Sequence, residues 1–318
     1  MKLTPAKLKG RIKSLAQKNH ADARILLRIF MMERFLERIS VSDARHHFII
    51  KGGILVTSMI GVALRSTMDI DASIKNTELS EKHLLQMLER ISSIDLDDGI
   101  TFRVKRAEPI MDEMEYPGIR IAMEAALRPL LVPLKLDLST GDVITPHEIQ
   151  YHYKLLTEDR TIPLLSYNLE TVLAEKLQTV LARGVLNTRM RDFYDIHVLR
   201  RLYGNTIDLP TLRAAFLATC HKRGTEQLMP GRESILRTLR EDMTLQKLWS
   251  SYQKKFSYAM DSNYLEILQS TESLYTCISQ ADELPPSDSI SAATLQTMDQ
   301  SIKNFNEGNV SAPIHPEI

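Results

Sequence analysis

The sequence predicts an α+β protein: a half built on a small mixed sheet, followed by a helical half. Three observations predict it. Short apolar runs, bounded by glycine, proline or polar residues, are interleaved with helical patterns across residues 48–165. From Asn168 onward the apolar residues recur mostly with a period near 3.6. The 318 residues are 43% hydrophobic and 25% charged, ordinary for a globular chain and long enough for two domains.

Each element has a local reason. Residues 2–20 read as a basic helix, with Leu3, Leu8, Ile12 and Leu15 at helical spacing. Residues 21–39 repeat the pattern with Ile25, Ile29, Phe35 and Ile39, and Ser42 caps a short turn. Phe48-Ile49-Ile50 starts a buried strand that stops at Gly52-Gly53, and a helix follows over residues 54–60. Residues 67–74 read as a strand ended by Lys75-Asn76-Thr77, and residues 80–91 as a helix. Phe102-Arg103-Val104 and residues 120–123 read as meander strands joined by a turn at Tyr116-Pro117-Gly118. Residues 131–138 form a strong strand that carries Asp137 and ends at Gly141-Asp142, and Pro163-Leu164-Leu165 is a last short one. Helices follow over residues 169–183, 191–203 and 209–221, with more to about 280. Expected boundaries are therefore 1–45 for helices packing on the core, 46–167 for the α/β domain, 168–283 for the helical domain and 284–318 for a polar, partly mobile tail.

Bulk properties exclude several classes. Lys plus Arg equals Asp plus Glu at 40 each, so net charge alone points to no acidic partner, although the first 28 residues are strongly basic. Cys220 and Cys277 are too few and too far apart for a disulfide framework or a cysteine zinc site. No apolar stretch reaches the roughly 20 residues that a membrane helix needs, and the basic start lacks the apolar core of a signal peptide, so no membrane partner and a cytoplasmic location are expected.

The chemistry concentrates in Lys51-Gly52-Gly53 and Arg65-Ser66-Thr67-Met68-Asp69-Ile70-Asp71. Carboxylates two apart on a strand point to one side, so Asp69 and Asp71 are expected together. Asp137, mid-strand among apolar neighbours, supplies a third. Like charges packed beside each other are costly, and a divalent cation removes that cost. Mg²⁺ takes a few carboxylates plus phosphate oxygens and water. A glycine pair leading from strand into helix lets phosphate oxygens approach backbone N–H groups. Together these features point to a site for a nucleoside triphosphate and Mg²⁺ or Mn²⁺.

The glycine pair, the D-x-D and a third strand aspartate resemble the DNA polymerase β-like nucleotidyltransferase superfamily. Residues 32–40, Lys51-Gly52-Gly53, Arg65-x-Thr67-x-Asp69-x-Asp71, Gly141-Asp142, Ala174-Glu175-Lys176-Leu177 and the run from Asn187 to Asp195 resemble the AbiEii/AbiGii toxin family, nucleotidyltransferase toxins of type IV toxin–antitoxin and phage-defence systems related to the MenT toxins. The resemblance spans about residues 5–200. It implies catalytic roles for Asp69, Asp71, Lys176 and Asp192. It also implies phosphate contacts for Gly52, Gly53, Thr67 and Lys176, and metal binding by Asp69 and Asp71, with Asp137 added by comparison with the wider superfamily. It further implies NTP as substrate, the 3′ end of a tRNA as acceptor and a cognate antitoxin as partner.

Blander readings stand beside these. Lys176 alone reads as a solvated helix lysine, and Glu175 beside it points elsewhere on the helix. Asp192 and Asp195 lie three apart on one helix face, where either can pair with Arg189 or Arg191; Asp192 is preferred for the site and Asp195 for support. Lys51 binds phosphate or pairs with an acid. Arg65 clamps phosphate or braces the turn. His46 and His47 are adjacent and poorly placed to share a metal. Cys220 reads as a buried helical residue rather than a nucleophile. The functional alternatives are transfer to a protein hydroxyl, or a non-catalytic nucleotide- or RNA-binding module.

Overall fold

A computed structural model describes residues 3–76, 80–110 and 118–280. The expected turn at Tyr116-Pro117 and the polar segment 284–318 lie outside the described residues.

The chain opens with two helices, α1 (Pro5–Lys18) and α2 (Ala23–Val41). Thr4 and Asp22 cap them by accepting backbone N–H bonds from Lys7 and Arg24. Helix α2 is buried over most of its circumference, more than an amphipathic surface helix would be. Most of its buried charges are accordingly paired. Arg38 forks onto Asp98 and lies over the Phe102 ring, and Arg34 meets Glu37 and Glu158. The charged run within residues 32–40 is therefore largely internal wiring.

Strand β1 (Phe48–Lys51) runs into helix α3 (Gly52–Ile60), and β2 (Ile70–Ile74) returns antiparallel to β1. Helix α4 (Glu81–Ser93) leads to the meander β3 (Thr101–Pro109), β4 (Gly118–Leu127) and β5 (Leu130–Thr140). Then come β6 (Ile149–Lys154) and β7 (Thr161–Ser166). All seven strands form one mixed sheet in the order β3-β4-β5-β2-β1-β7-β6, with β2/β5 and β1/β7 parallel. The sheet is larger than the sequence reading expected, because β6 was not anticipated. Its signal is plain in retrospect: Tyr151 and Tyr153 are buried while Gln150 and His152 are exposed, the period-two pattern of a half-buried strand.

The helical half comprises α5 (Leu169–Arg183), α6 (Met190–Tyr203), α7 (Leu209–Lys222), α8 (Arg232–Glu241), α9 (Met243–Lys255) and α10 (Tyr264–Gln280). Asn168, Asp208 and Asp242 cap α5, α7 and α9. A continuous buried cluster runs from Leu8 through the sheet to Ile278, so both halves share one core. Cys220 is buried within it, and burial pushes its thiol up, as an inert core cysteine requires. None of the described helices is long and apolar enough to cross a membrane.

Candidate active site

The register of the sheet builds the site. Lys51 pairs with Asp71, Asp71 with Asp137, and Asp137 with Arg120, so these four residues form one row across β1, β2, β5 and β4. Side chains in register on neighbouring strands share a face. The row thus carries two acids at its centre and a base at each end.

The glycines are fixed by what presses on them. Gly52 has a positive φ of 60°, and a Cβ there would stand 2.4 Å from Asp71 Oδ2. A Cβ on Gly53 would stand 2.5 Å from Thr67 Oγ1 and 3.1 Å from an Arg65 nitrogen. Glycine is needed for this close approach. The helix begins at Gly52 itself, two residues before the sequence reading placed it. The N–H of Gly53 does not stand free at the helix start: it donates to Asp71 Oδ2 at 3.1 Å.

The two aspartates are not equivalent. Strand β2 starts at Ile70, so Asp69 stands just before it rather than on the strand as expected. The chain bends at Met68–Asp69, where the Thr67 hydroxyl donates to the Asp69 carbonyl at 3.3 Å. Asp69 meets Lys135 at 3.3 Å and is partly exposed. Burial, together with Asp137 and Asp69 nearby, raises the Asp71 carboxyl above the usual range, against the opposing pull of the Gly53 N–H and Lys51. Asp137 contrasts with it: Arg120 forks onto both of its oxygens at 2.8 and 2.7 Å.

A second array faces this one from the helical half. The Lys176 ammonium sits 2.9 Å from Asp192 and 2.7 Å from Asp195. Burial opposes its charge, but the two carboxylates outweigh this and raise the ammonium's pKa. Asp195 is fully buried and also binds Arg65, at 2.8 Å to Nε. Despite burial, Arg65 and Lys176 hold its carboxyl low. Arg65 is itself buried; one of its terminal nitrogens donates to the Gly53 carbonyl at 2.6 Å and to Thr57 at 3.0 Å. Of its two anticipated roles, Arg65 takes the brace: it ties the glycine turn to α6 through Asp195. Lys51 takes the acid, meeting Asp142 at 2.8 Å.

The two arrays enclose a cavity of about 620 Å³. Lys51, Gly52, Gly53, Arg65, Thr67, Asp69, Asp71, Lys176 and Asp192 all line it. Nine residues chosen from sequence thus converge on one space. Asp137, expected in the metal set, is not among the lining residues and is paired with Arg120.

Several lining residues were missed. Glu175 faces the cavity beside Lys176, where it was expected to point elsewhere. Its carboxyl is raised by burial, against Lys51 and Arg223. Adjacent residues lie about 100° apart on a helix, so both reach one broad pocket. Asp142 was visible as the end of a strand and in the Gly141-Asp142 motif, with no role assigned to it. Arg223, Tyr252, Lys255 and Phe256 carry no sequence signal; tertiary packing brings α7 and α9 to the cavity. His46 and His47 are spent elsewhere, on Arg45 and on the Lys75 carbonyl.

A glycine turn beneath paired aspartates, opposed across a cavity by a buried lysine held between aspartates, defines a protein of the phosphoryl- or nucleotidyl-transfer class. The family model described as nucleotidyl transferase AbiEii toxin, type IV TA system, matches residues 34–273, and the chain belongs to that family of nucleotidyltransferases. Among solved structures it is similar to a candidate nucleotidyltransferase from H. pylori, at 15% identity over 83% of this chain and 100% of that one, with a TM-score of 0.46. It is similar to JHP933 from Helicobacter pylori at 15% identity, 82% and 96% coverage and a TM-score of 0.46. An antigenic nucleotidyltransferase-like protein from Paracoccidioides brasiliensis is similar at 16% identity, 75% and 95% coverage and a TM-score of 0.36. A search of curated proteins gives no match.

Proposed function

We propose that the protein transfers a nucleoside monophosphate from an NTP to an acceptor hydroxyl, the 3′ end of a tRNA, and so acts as a toxin in a toxin–antitoxin or phage-defence system. The observation that carries this is the single cavity on which the glycine turn, Asp69 and Asp71 converge from one half and Lys176 and Asp192 from the other.

A divalent cation, Mg²⁺ or Mn²⁺, would be held by Asp69 and Asp71 and would neutralise charge on the triphosphate. The residues suit it. Among the described residues Asp71 has no ion-pair contact, and the space above it is one that a Cβ on Gly52 would fill. Among the described residues no group of three or more metal-ligating side chains converges. Two carboxylates leave the other positions to phosphate oxygens and water, as Mg²⁺ prefers.

The chain's own residues would do the rest. Lys176 exchanges part of its contact with Asp192 for phosphate oxygens and stabilises the charge that builds as pyrophosphate leaves. Asp195 and Arg65 hold Lys176 and the glycine turn in one geometry, so the two walls act as a unit. Thr67, packed against Gly53, orients the phosphates. The acceptor hydroxyl attacks the α-phosphorus and pyrophosphate departs. Arg189, Arg191 and Lys255 line the same cavity and suit a polyanionic acceptor. A cognate antitoxin is the expected partner of a chain of this family.

The test is incubation of the purified protein with total RNA, Mg²⁺ and each labelled NTP. Label is expected on tRNA. Label on protein alone would move the acceptor to a protein hydroxyl. No label from any NTP, together with full toxicity of Asp69→Ala in cells, would refute the transferase reading.

A further inference from the structure

We propose that Tyr252 and Phe256 form a platform on which a nucleobase stacks, one that holds the base without reading its identity. This rests on the nucleotidyltransferase reading and adds to it the part of the site that meets the base.

Phosphate and metal chemistry gives a role to many of the polar residues in the cavity but not to its aromatic side chains. Tyr252 and Phe256 are the two aromatic residues that line it among the described residues, and both are half-buried in a wall otherwise rich in charge. Their ring centroids lie 4.7 Å apart. Arg191 stands 5.9 Å and Lys255 5.4 Å from the Phe256 centroid, and both cations line the cavity too. An apolar face of two rings, their planes tilted 46° to each other and flanked by cations, matches a ligand that is aromatic at one end and anionic at the other, which is a nucleotide.

The platform is supported from behind. Trp249 stacks on Tyr252 at 5.4 Å, and its indole N–H donates to the Ser262 carbonyl at 3.0 Å. Tyr258 stacks on Phe256 at 5.3 Å. The backbone N–H of Phe256 bonds to the Tyr252 and Gln253 carbonyls, which fixes the end of α9. These contacts hold the rings before any ligand arrives, so little order is lost on stacking. The Tyr252 hydroxyl is already bonded to the Tyr258 hydroxyl at 3.0 Å. The pair therefore presents π surface rather than hydrogen-bonding groups to the base, and stacking of that kind tolerates every base.

The base belongs either to the incoming NTP or to the acceptor's terminal nucleotide, and one experiment separates the two. Binding of Mg²⁺ with tripolyphosphate, and with the α,β-methylene analogue of each of the four NTPs, is measured by calorimetry. For an NTP base, Phe256→Leu weakens all four analogues about tenfold and leaves tripolyphosphate unchanged, while Phe256→Trp restores affinity. For an acceptor base, analogue binding is unchanged and the KM for total tRNA in the labelling reaction rises instead. Unchanged tripolyphosphate affinity also serves as the control for folding. Equal weakening of analogues and tripolyphosphate, or no change in any of the three measurements, overturns the platform alone. Failure of the wild type to bind tripolyphosphate or any analogue overturns the nucleotide site together with it.

Discussion

Asp71 and Asp137 face each other in register on parallel strands, yet their surroundings differ sharply. Asp137 is gripped by both arms of Arg120. Asp71 accepts one backbone N–H, from Gly53, and has no direct cationic partner among the described contacts. Sequence position made them equals; the neighbouring strand separates them. Arg120 from β4 neutralises one, and the glycine turn from β1 leaves the other exposed to a ligand. A carboxylate that folding has already compensated is poorly placed to take a metal, whereas one held at a cost gains most from it.

The largest expected effect follows from that contrast. Asp71→Asn should cut nucleotidyl transfer by on the order of 10³-fold, because a cation's charge stabilisation is worth several kcal/mol. It should not destabilise the fold. Burial raises the Asp71 carboxyl, so the unfolded chain releases its proton at lower pH than the folded one, and stability falls as pH rises above the ordinary carboxylate range. Asparagine removes that cost. Thermal melts of metal-free protein at neutral pH should show an equal or higher Tm; a clear fall in Tm would mean that Asp71 is a structural acid and the contrast is false.

Arg65 tests the opposite extreme. Asp195 is a buried carboxylate compensated twice, by Arg65 and Lys176. Arg65→Met leaves it one partner and also removes the donor to the Gly53 carbonyl. Breaking a buried pair costs about 3–5 kcal/mol. Chemical denaturation should show a loss near the lower end, because Lys176 remains. A variant that unfolds like wild type would show that this array is not what ties the two halves together.

Glu33 extends the comparison away from the site. Like Asp71 it is buried against backbone: both of its oxygens accept from the Leu156 N–H at 3.0 Å, with Tyr153 at 3.4 Å. Burial pushes its carboxyl up to about 8. Between the ordinary value of 4.5 and about 8 the folded protein holds a proton that the unfolded chain has released. Stability from this group is therefore greatest at low pH and falls as pH rises through that window. Glu33→Gln mimics the protonated form and should flatten the slope, gaining on the order of 5 kcal/mol at pH 8.5 and little at pH 4. Melts across that range check it, and parallel curves for the two proteins would reject the assignment.

What was legible in the sequence follows the same physical line. Gly52-Gly53, Asp69 and Asp71 could be picked out because their spacing and local chemistry are encoded along the chain, whereas Lys176 and Asp192 stood out only through the resemblance of their motifs to the toxin family. The strand and helix order was readable because burial imposes periods of two and 3.6. What a residue does once placed was less readable. Arg65 as a brace, Glu175 inside the cavity and Arg120 on Asp137 depend on contacts between segments far apart in sequence. Tyr252 and Phe256 were invisible for the same reason, since aromatic residues at helical spacing look like core until the packing shows which side they line.

The smallest expected effect is the most discriminating. Asp137→Asn keeps the shape and removes the charge that Arg120 grips. Arg120 is substantially exposed, with 41% of its side chain accessible, so solvent screens the pair and the loss of stability should be no more than about 1 kcal/mol. Transfer should fall less than about tenfold, through a loosened row beside Asp71 rather than through lost metal. The two variants then differ by about two orders of magnitude in kcat, although they alter the same atoms on neighbouring strands. Titration of Mg²⁺ completes the comparison. Asp71→Asn should shift the Mg²⁺ dependence of activity strongly and Asp137→Asn hardly at all. A matching shift in both would mean that Arg120 yields Asp137 to the cation when the site is loaded, and three carboxylates would then hold it, as the sequence alone suggested.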